Sequence, residues 1–295
     1  MLDLDNNQFS KHSRTILEKI EQIPPFPESA RLLSDLRQNP DANIDQLSEI
    51  IESDPGLTAF ILKYARIPIF GYGHRIHSVD QAIRLVLGFN TASSLMMSIA
   101  SSSCLRMQKH GQLGYIKIWS KTLECAALCR ELSLMMSNRS QIDSDLAHLC
   151  GLFQNFGYLL FGHFFPKEYS YLNDLVARYP EQSFRTIQLQ FFGITHDTIG
   201  KYLMNAWNLP EEVIVAIAEQ NYPDYSGKHA IYVKLIAVAN RLLQSELQNI
   251  DGCAYVETTS LIDSLGINEN EALKAKENIL GCQNDFAILS QSLTA

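Results

Sequence analysis

Few residues in this chain of 295 have both the type and the spacing that chemistry requires. Gln154 and Asn155 stand side by side in an otherwise apolar run, DLAHLCGLFQNFGYLLFGHFFP (145–166), with His148 and His163 towards its ends. A buried amide pair needs partners, because each unmet polar group costs about 1–3 kcal/mol. These two amides therefore face either a polar network or a pocket. His74, Arg75 and His77 share a polar loop with Phe70 and Tyr72. Cys125 and Cys129 are four apart in a helical pattern and share a face, so they read as core thiols and not as ligands or a bridge. The serines between 98 and 103 lie in a helical pattern with no histidine or acid at a useful spacing, and no nucleophile is assigned there. GxSxG, P-loop, dinucleotide-glycine and HExxH motifs do not occur.

Composition narrows the classes further. A formal net charge of −8 favours solubility and argues against sequence-independent binding to a phosphate backbone. With no aromatic–basic platform either, no nucleic-acid partner is expected. The run at 145–166 has the length of a membrane span, at about 20 residues without a formal charge. Its central Gln-Asn pair, flanking histidines and lack of basic clusters point instead to a core helix, and no membrane partner is expected. The six cysteines form no CxxC pair, and the opening MLDLDNNQFSK lacks the basic start and apolar centre of a signal peptide. The expected setting is a reducing, cytoplasmic one, with no cofactor.

The elements that must position these residues all read as helices. Short helices are expected over Thr15–Ile23, Glu28–Arg37, Ile44–Ser53 (capped by Asn43) and the segment after the Asp54-Pro55 start signal. Ser78–Gly88 and a long, weakly charged helix Asn90–Met107 follow. After a connection at 110–114 come Ile116–Met136, one continuous helix over 145–166, then Lys167–Tyr179, Ser183–Phe192, Asp197–Trp207, Glu211–Gln220 and Lys228–Leu247. The last stretch gives Glu257–Leu265, Asn270–Leu280 and an apolar patch at Phe286–Leu289. No strand-period segment or internal repeat stands out, so the fold class is all-α, with many antiparallel helices in two lobes.

Three long stretches, IEQIPPFPESARLLSDL, IIESDPGLTAFILKYA and SVDQAIRLVLGFNTASSL, are similar to the opening of HDOD domains. The resemblance continues through GLFQNFGYLLF, HDTIGKYLMNAWNLPEEVIVAI and KLIAVANRL, and covers residues 14–245. It implies an N-terminal helical lobe (14–111), a degenerate HD-like lobe (112–245) and a C-terminal extension (246–295). HDOD domains resemble HD phosphohydrolases without the catalytic residues. By that resemblance, the hydrolases' metal-binding His-Asp pair corresponds to Gln154-Asn155 and their first histidine to Lys121. A further histidine pair falls near Gln220-Asn221, and the last aspartate corresponds to Asn240, leaving His196 as the one side chain a metal could use.

The physics of these replacements points one way. Divalent cations are held by neutral imidazoles and anionic carboxylates, whereas amides bring no formal charge. An ammonium about 4 Å from a +2 ion would repel it by about 8 kcal/mol at an effective dielectric of 20. No catalytic residue and no metal site is therefore assigned. The resemblance implies a non-enzymatic bacterial signal-transduction module that binds a protein partner, some such domains being linked to receiver or cyclic-di-GMP proteins. Phe70, Tyr72, His74 and Arg75 are the candidate contact surface, with packing between lobes as their other use. Two alternatives stay open. One is a sensor whose degenerate pocket (Lys121, Gln154, Asn155, His196, Gln220, Asn240) binds a nucleotide or other small anion. The other is a residual metal-dependent phosphohydrolase rebuilt around His196 and His148. The partner, the oligomeric state and the docking place of the C-terminal extension are not legible.

Overall fold

The computed structural model describes residues 19, 22–137, 142–178, 184–243 and 257–293, and among them every regular element is helical and none is a strand. The first full helices described are α1 (Glu28–Gln38), α2 (Ile44–Glu52) and α3 (Pro55–Ala65), then α4 (Val79–Gln81), which continues into a π turn (Ala82–Leu87), and α5 (Phe89–Ser102). Next come α6 (Tyr115–Met135), α7 (Ser144–Phe153), α8 (Phe156–Phe164) and α9 (Pro166–Arg178). α10 (Phe184–Phe192), α11 (His196–Ala206), α12 (Glu211–Glu219) and α13 (Ala230–Leu242) follow. α14 (Thr258–Ser264), α15 (Glu269–Gly281) and α16 (Gln283–Ser292) end the described chain. The helix expected over Thr15–Ile23 lies mostly outside the described residues. None of the described helices is long and apolar enough to cross a membrane.

Local signals set most of the boundaries. Asn43 and Gln46 cap each other reciprocally at the start of α2, at 3.0 and 3.1 Å. Asp54 Oδ1 accepts from the amides of Gly56 and Leu57, ahead of Pro55 at the first position of α3. Two helices of the first half differ from expectation. The segment after Ser78 widens into a π turn that closes when the Gly88 N–H donates to Ile83 O at 2.8 Å, and Gly88 takes φ 74°. The helix expected over Asn90–Met107 stops at Ser102, because the serine hydroxyls return to their own backbone. Ser98 donates to Leu95 O, Ser101 to Met97 O, Ser102 to Ile99 O and Ser103 to Ala100 O. Such bonds compete with helix continuation.

The hub is α6, 21 residues long and buried around most of its circumference, from Ile118 and Trp119 to Leu128 and Leu132. It packs against α7, α13, α15 and α16. The contact with α7 is backbone to backbone: a Cβ on Gly151 would lie 2.5 Å from Ala126 Cα. α8 and α11 meet as closely, and a Cβ on Gly157 would lie 1.8 Å from the His196 carbonyl oxygen. The earlier helices join this body through α5 on α7, where Thr91 donates to Asp145 Oδ1 at 2.9 Å. Pro24 and Phe26 join it too: the Trp207 indole donates to Pro24 O at 2.9 Å, and the Phe26 and Trp207 rings lie 5.2 Å apart.

The C-terminal helices dock on their own chain. α14 packs on α13, α15 on α6, and α16 on both α6 and α3, with Phe286 buried against Tyr64. The apolar patch at Phe286–Leu289 is thus part of a complete helix, with Phe286 and Leu289 turned inward and Ile288 exposed.

Gly157→Ala is expected to lower the unfolding free energy by about 1–3 kcal/mol, because the added methyl must displace helix backbone. Gly281→Ala, where a Cβ meets nothing within 4 Å, is expected to change it by no more than about 0.5 kcal/mol. Urea melts followed by circular dichroism measure both.

Candidate functional site

The helix expected over 145–166 is broken at the amide pair itself, α7 ending at Phe153 and α8 starting at Phe156. Asn155 leaves the helical region, with φ −98° and ψ 4°. A break inside a core strands backbone groups, and their partners show why it is stable. The Gln154 carbonyl accepts from Gln220 Nε2 at 3.1 Å, and the Asn155 carbonyl accepts from the Tyr158 N–H at 3.0 Å. The apolar periodicity continues unbroken through this point, so the pattern alone could not place the interruption.

The side chains complete the network. Asn240 Nδ2, on α13, donates to Gln154 Oε1 at 2.7 Å, and Asn155 Nδ2 donates to Thr122 Oγ1, on α6, at 3.0 Å. Gln154, Asn155, Gln220 and Asn240 are all buried. The structure thus brings four of the six expected residues into one connected cluster. Asn155 Oδ1, Asn221 Nδ2 and His196 Nε2 are buried with no hydrogen-bond partner among the described residues.

Lys121 does not join this cluster. The residue of α6 that meets the amides is Thr122, and one step along a helix is a rotation of about 100°. Lys121 Nζ is held instead by Glu124 Oε2 at 2.8 Å, and Ser120 donates to the other Glu124 oxygen at 3.1 Å. This group lines a separate cleft, of about 330 Å³, with Lys109, Lys117 and Gln283. The Lys121 ammonium is therefore neutralised away from the amides and would not repel a cation there; what the cluster lacks is a carboxylate.

His196 sits at the start of α11 and stacks on Tyr158, ring centroids 4.0 Å apart. Gln188 Oε1 accepts from both its backbone N–H at 3.2 Å and its Nδ1–H at 2.9 Å, which fixes the tautomer. Burial pushes its pKa down to about 4, with Arg185 acting in the same direction and Asp197 against. Asp197 is itself taken by Arg185, whose Nη1 lies 2.8 Å from each carboxylate oxygen. Gln188, Thr122 and Arg185 were not singled out from the sequence. Only Thr122, adjacent to Lys121, lay within reach of that reasoning.

These donors do not suit a hydrolytic metal centre. Among the described residues no three His, Cys, Asp or Glu side chains come together as a metal group. His148, the other candidate ligand, faces a different cleft, with Arg130 and Tyr64. On the loop, Phe70 packs against Tyr64 with centroids 5.4 Å apart, while Tyr72 is exposed. Arg75 ties the loop by donating to Gly71 O and Tyr72 O. The His74 side chain lies outside the described set.

Asn240→Ala would leave Gln154 Oε1 buried without its donor, an expected cost of about 1–3 kcal/mol. The Gln154→Leu/Asn240→Leu pair is expected to cost less than the sum of its single changes, which urea unfolding of all three proteins measures. A pH series tests His196. Its folded pKa of about 4 lies below the ordinary 6.5, so the unfolded chain binds the proton first. The stability it contributes is full above pH 6.5 and falls as pH drops towards 4, by up to about 1.4 kcal/mol per unit. His196→Gln is expected to flatten that slope in pH-dependent unfolding curves.

The chain is similar to several known proteins. A crystal structure from Marinobacter aquaeolei VT8, provisionally described as a signal transduction protein, is 26% identical, with a TM-score of 0.79 over 100% of this chain and 68% of that one. An HDOD domain protein of unknown function from Geobacter sulfurreducens is 20% identical, with a TM-score of 0.74, over 97% and 99% of the two chains. A Shewanella amazonensis SB2B protein, provisionally described as a phosphohydrolase, is 20% identical, with a TM-score of 0.62, over 91% and 99%. An uncharacterized protein from Treponema pallidum (strain Nichols) is 23% identical over 240 residues, 80% of this chain but 45% of that longer protein. Residues 23–223 match the HDOD domain, and the chain belongs to that family.

Proposed function

We propose that this protein is a non-enzymatic signal-transduction module of the bacterial cytoplasm that works by binding a protein partner. The observation that carries this reading is the buried amide cluster. Where the hydrolase resemblance puts ligands, Gln154 and Asn240 bond each other at 2.7 Å, and Gln220 holds the backbone beside them. Neutral amides in mutual contact supply no charge to hold a divalent ion or to activate water. Family membership and the description of the Marinobacter aquaeolei protein support signalling. The five described cysteines are free thiols, in keeping with a reducing compartment. Tyr72 and Arg75 are the exposed part of the proposed partner surface, whereas Phe70 belongs to the packing. Receiver and cyclic-dinucleotide proteins are the partner classes to test first.

A second reading keeps some support. Asn155 Oδ1, in the cluster, and Asn221 Nδ2, next to Gln220, are buried without a partner among the described residues, and a small polar ligand would satisfy them. With Lys121 paired elsewhere, that ligand would be neutral and not a nucleotide.

Purified protein is expected to carry no stoichiometric metal by elemental analysis and to turn over no nucleotide or cyclic dinucleotide in the presence of Mn²⁺ or Mg²⁺. Stoichiometric metal together with turnover abolished by His196→Ala would overturn the proposal. Affinity capture from the native cell is expected to recover one dominant partner, and Tyr72→Ala/Arg75→Glu to weaken its retention at least tenfold. Retention unchanged by that pair would move the contact surface elsewhere.

A further inference from the structure

A cleft of about 510 Å³ lies where three parts of the chain meet, within the size range of small-molecule sites. α3 and the segment before α5 supply Tyr64, Phe70 and Leu87, α6 and α7 supply Arg130, Met135 and His148, and α15 closes one side. His148 is 1% exposed, and neither ring nitrogen has a hydrogen-bond partner among the described residues. Burial, with the fields of Arg130 and Arg37, pushes its pKa down to about 3. The ring is neutral, with one N–H and one lone pair to offer. Leaving both unmet in a core is costly, and such costs concentrate at binding sites.

Arg130 stands on the same cleft with its fork unfilled. Its Nε lies 3.9 Å from Asp145 Oδ1 and its Nη1 3.9 Å from Glu131, and neither contact is a hydrogen bond. A carboxylate would suit this guanidinium. With Arg130 counted, the charges on the lining cancel, Arg130 and Lys274 against Glu131 and Glu271. That balance favours one added negative charge over the two of a phosphate monoester. The ring faces and aliphatic side chains of the remaining wall suit a flat apolar body.

We propose that this cleft, bounded by Tyr64, Arg130 and His148, binds a small aromatic monocarboxylate carrying a hydroxyl or ring N–H, its carboxylate on Arg130 and its polar group on His148. Because the walls come from separate parts of the chain, such a ligand would bias how those parts sit together. The site is distinct from the amide cluster and does not depend on the reading given for it.

Titration of the full chain with 4-hydroxybenzoate, benzoate and phenyl phosphate, by calorimetry and by NMR of the histidine rings, tests the proposal. 4-Hydroxybenzoate is expected to bind saturably and to shift the His148 resonances. Benzoate should bind about tenfold more weakly, and phenyl phosphate more weakly still. Arg130→Gln, on a partly exposed side chain, is expected to remove binding of both carboxylates. His148→Leu is expected to erase the difference between 4-hydroxybenzoate and benzoate and to raise the Tm of the ligand-free protein. The proposal is overturned if no probe binds at millimolar concentration, if phenyl phosphate binds tightest, or if Arg130→Gln leaves carboxylate binding unchanged.

Discussion

Four buried amide residues meet in the second half of the chain, Gln154 bonding Asn240, Gln220 holding the Gln154 carbonyl and Asn155 bonding Thr122. Gln154 ends α7, Asn155 precedes α8, Gln220 follows α12 and Asn240 lies on α13, so the cluster ties together four separate helices. The tie is directional. Apolar packing tolerates small slides of one helix on another, whereas an amide bond at 2.7 Å does not. The break between α7 and α8 follows from the same constraint, because Gln220 takes over the bond that a continuing helix would have made. Close backbone contacts at Gly151 and Gly157 then bring α6 and α11 near enough for Thr122 and His196 to border the cluster.

The all-α class and most helix boundaries were legible, because caps, prolines and helical periodicity are local signals. The amide pair was also legible as a chemical anomaly, since it stands at the centre of an apolar run whose histidines lie towards the ends. Its consequence was not. The partner that permits the break, Gln220, lies 66 residues further along, and no local pattern encodes that meeting. Lys121 stands apart for a reason of helix geometry: one step along α6 turns a side chain by about 100°, so Thr122 meets Asn155 while Lys121 turns to Glu124. α16 escaped notice for another reason: its sequence QNDFAILSQS is half polar, and only its seat on α6 and α3 shows which side is core.

Histidines illustrate how little a residue type says without its surroundings. His196 has its tautomer fixed by Gln188 and its ring covered by Tyr158, which suits a structural role at a helix start. His148, equally buried, has no such partners and shares its cleft with a guanidinium and aromatic rings. Sequence spacing treats the two alike. The difference is created by α6, which directs Arg130 towards one of them, and by α10, which brings Gln188 to the other.

α16 seals α6 and α3 at once, although α3 is complete more than two hundred residues earlier in synthesis. On the ribosome, the apolar flank of α6 that α16 covers stays open until residues 283–292 emerge from the exit tunnel. The nascent protein therefore passes through a long interval in which its central helix is an adhesive surface, and chaperone attendance during translation would fall on that flank.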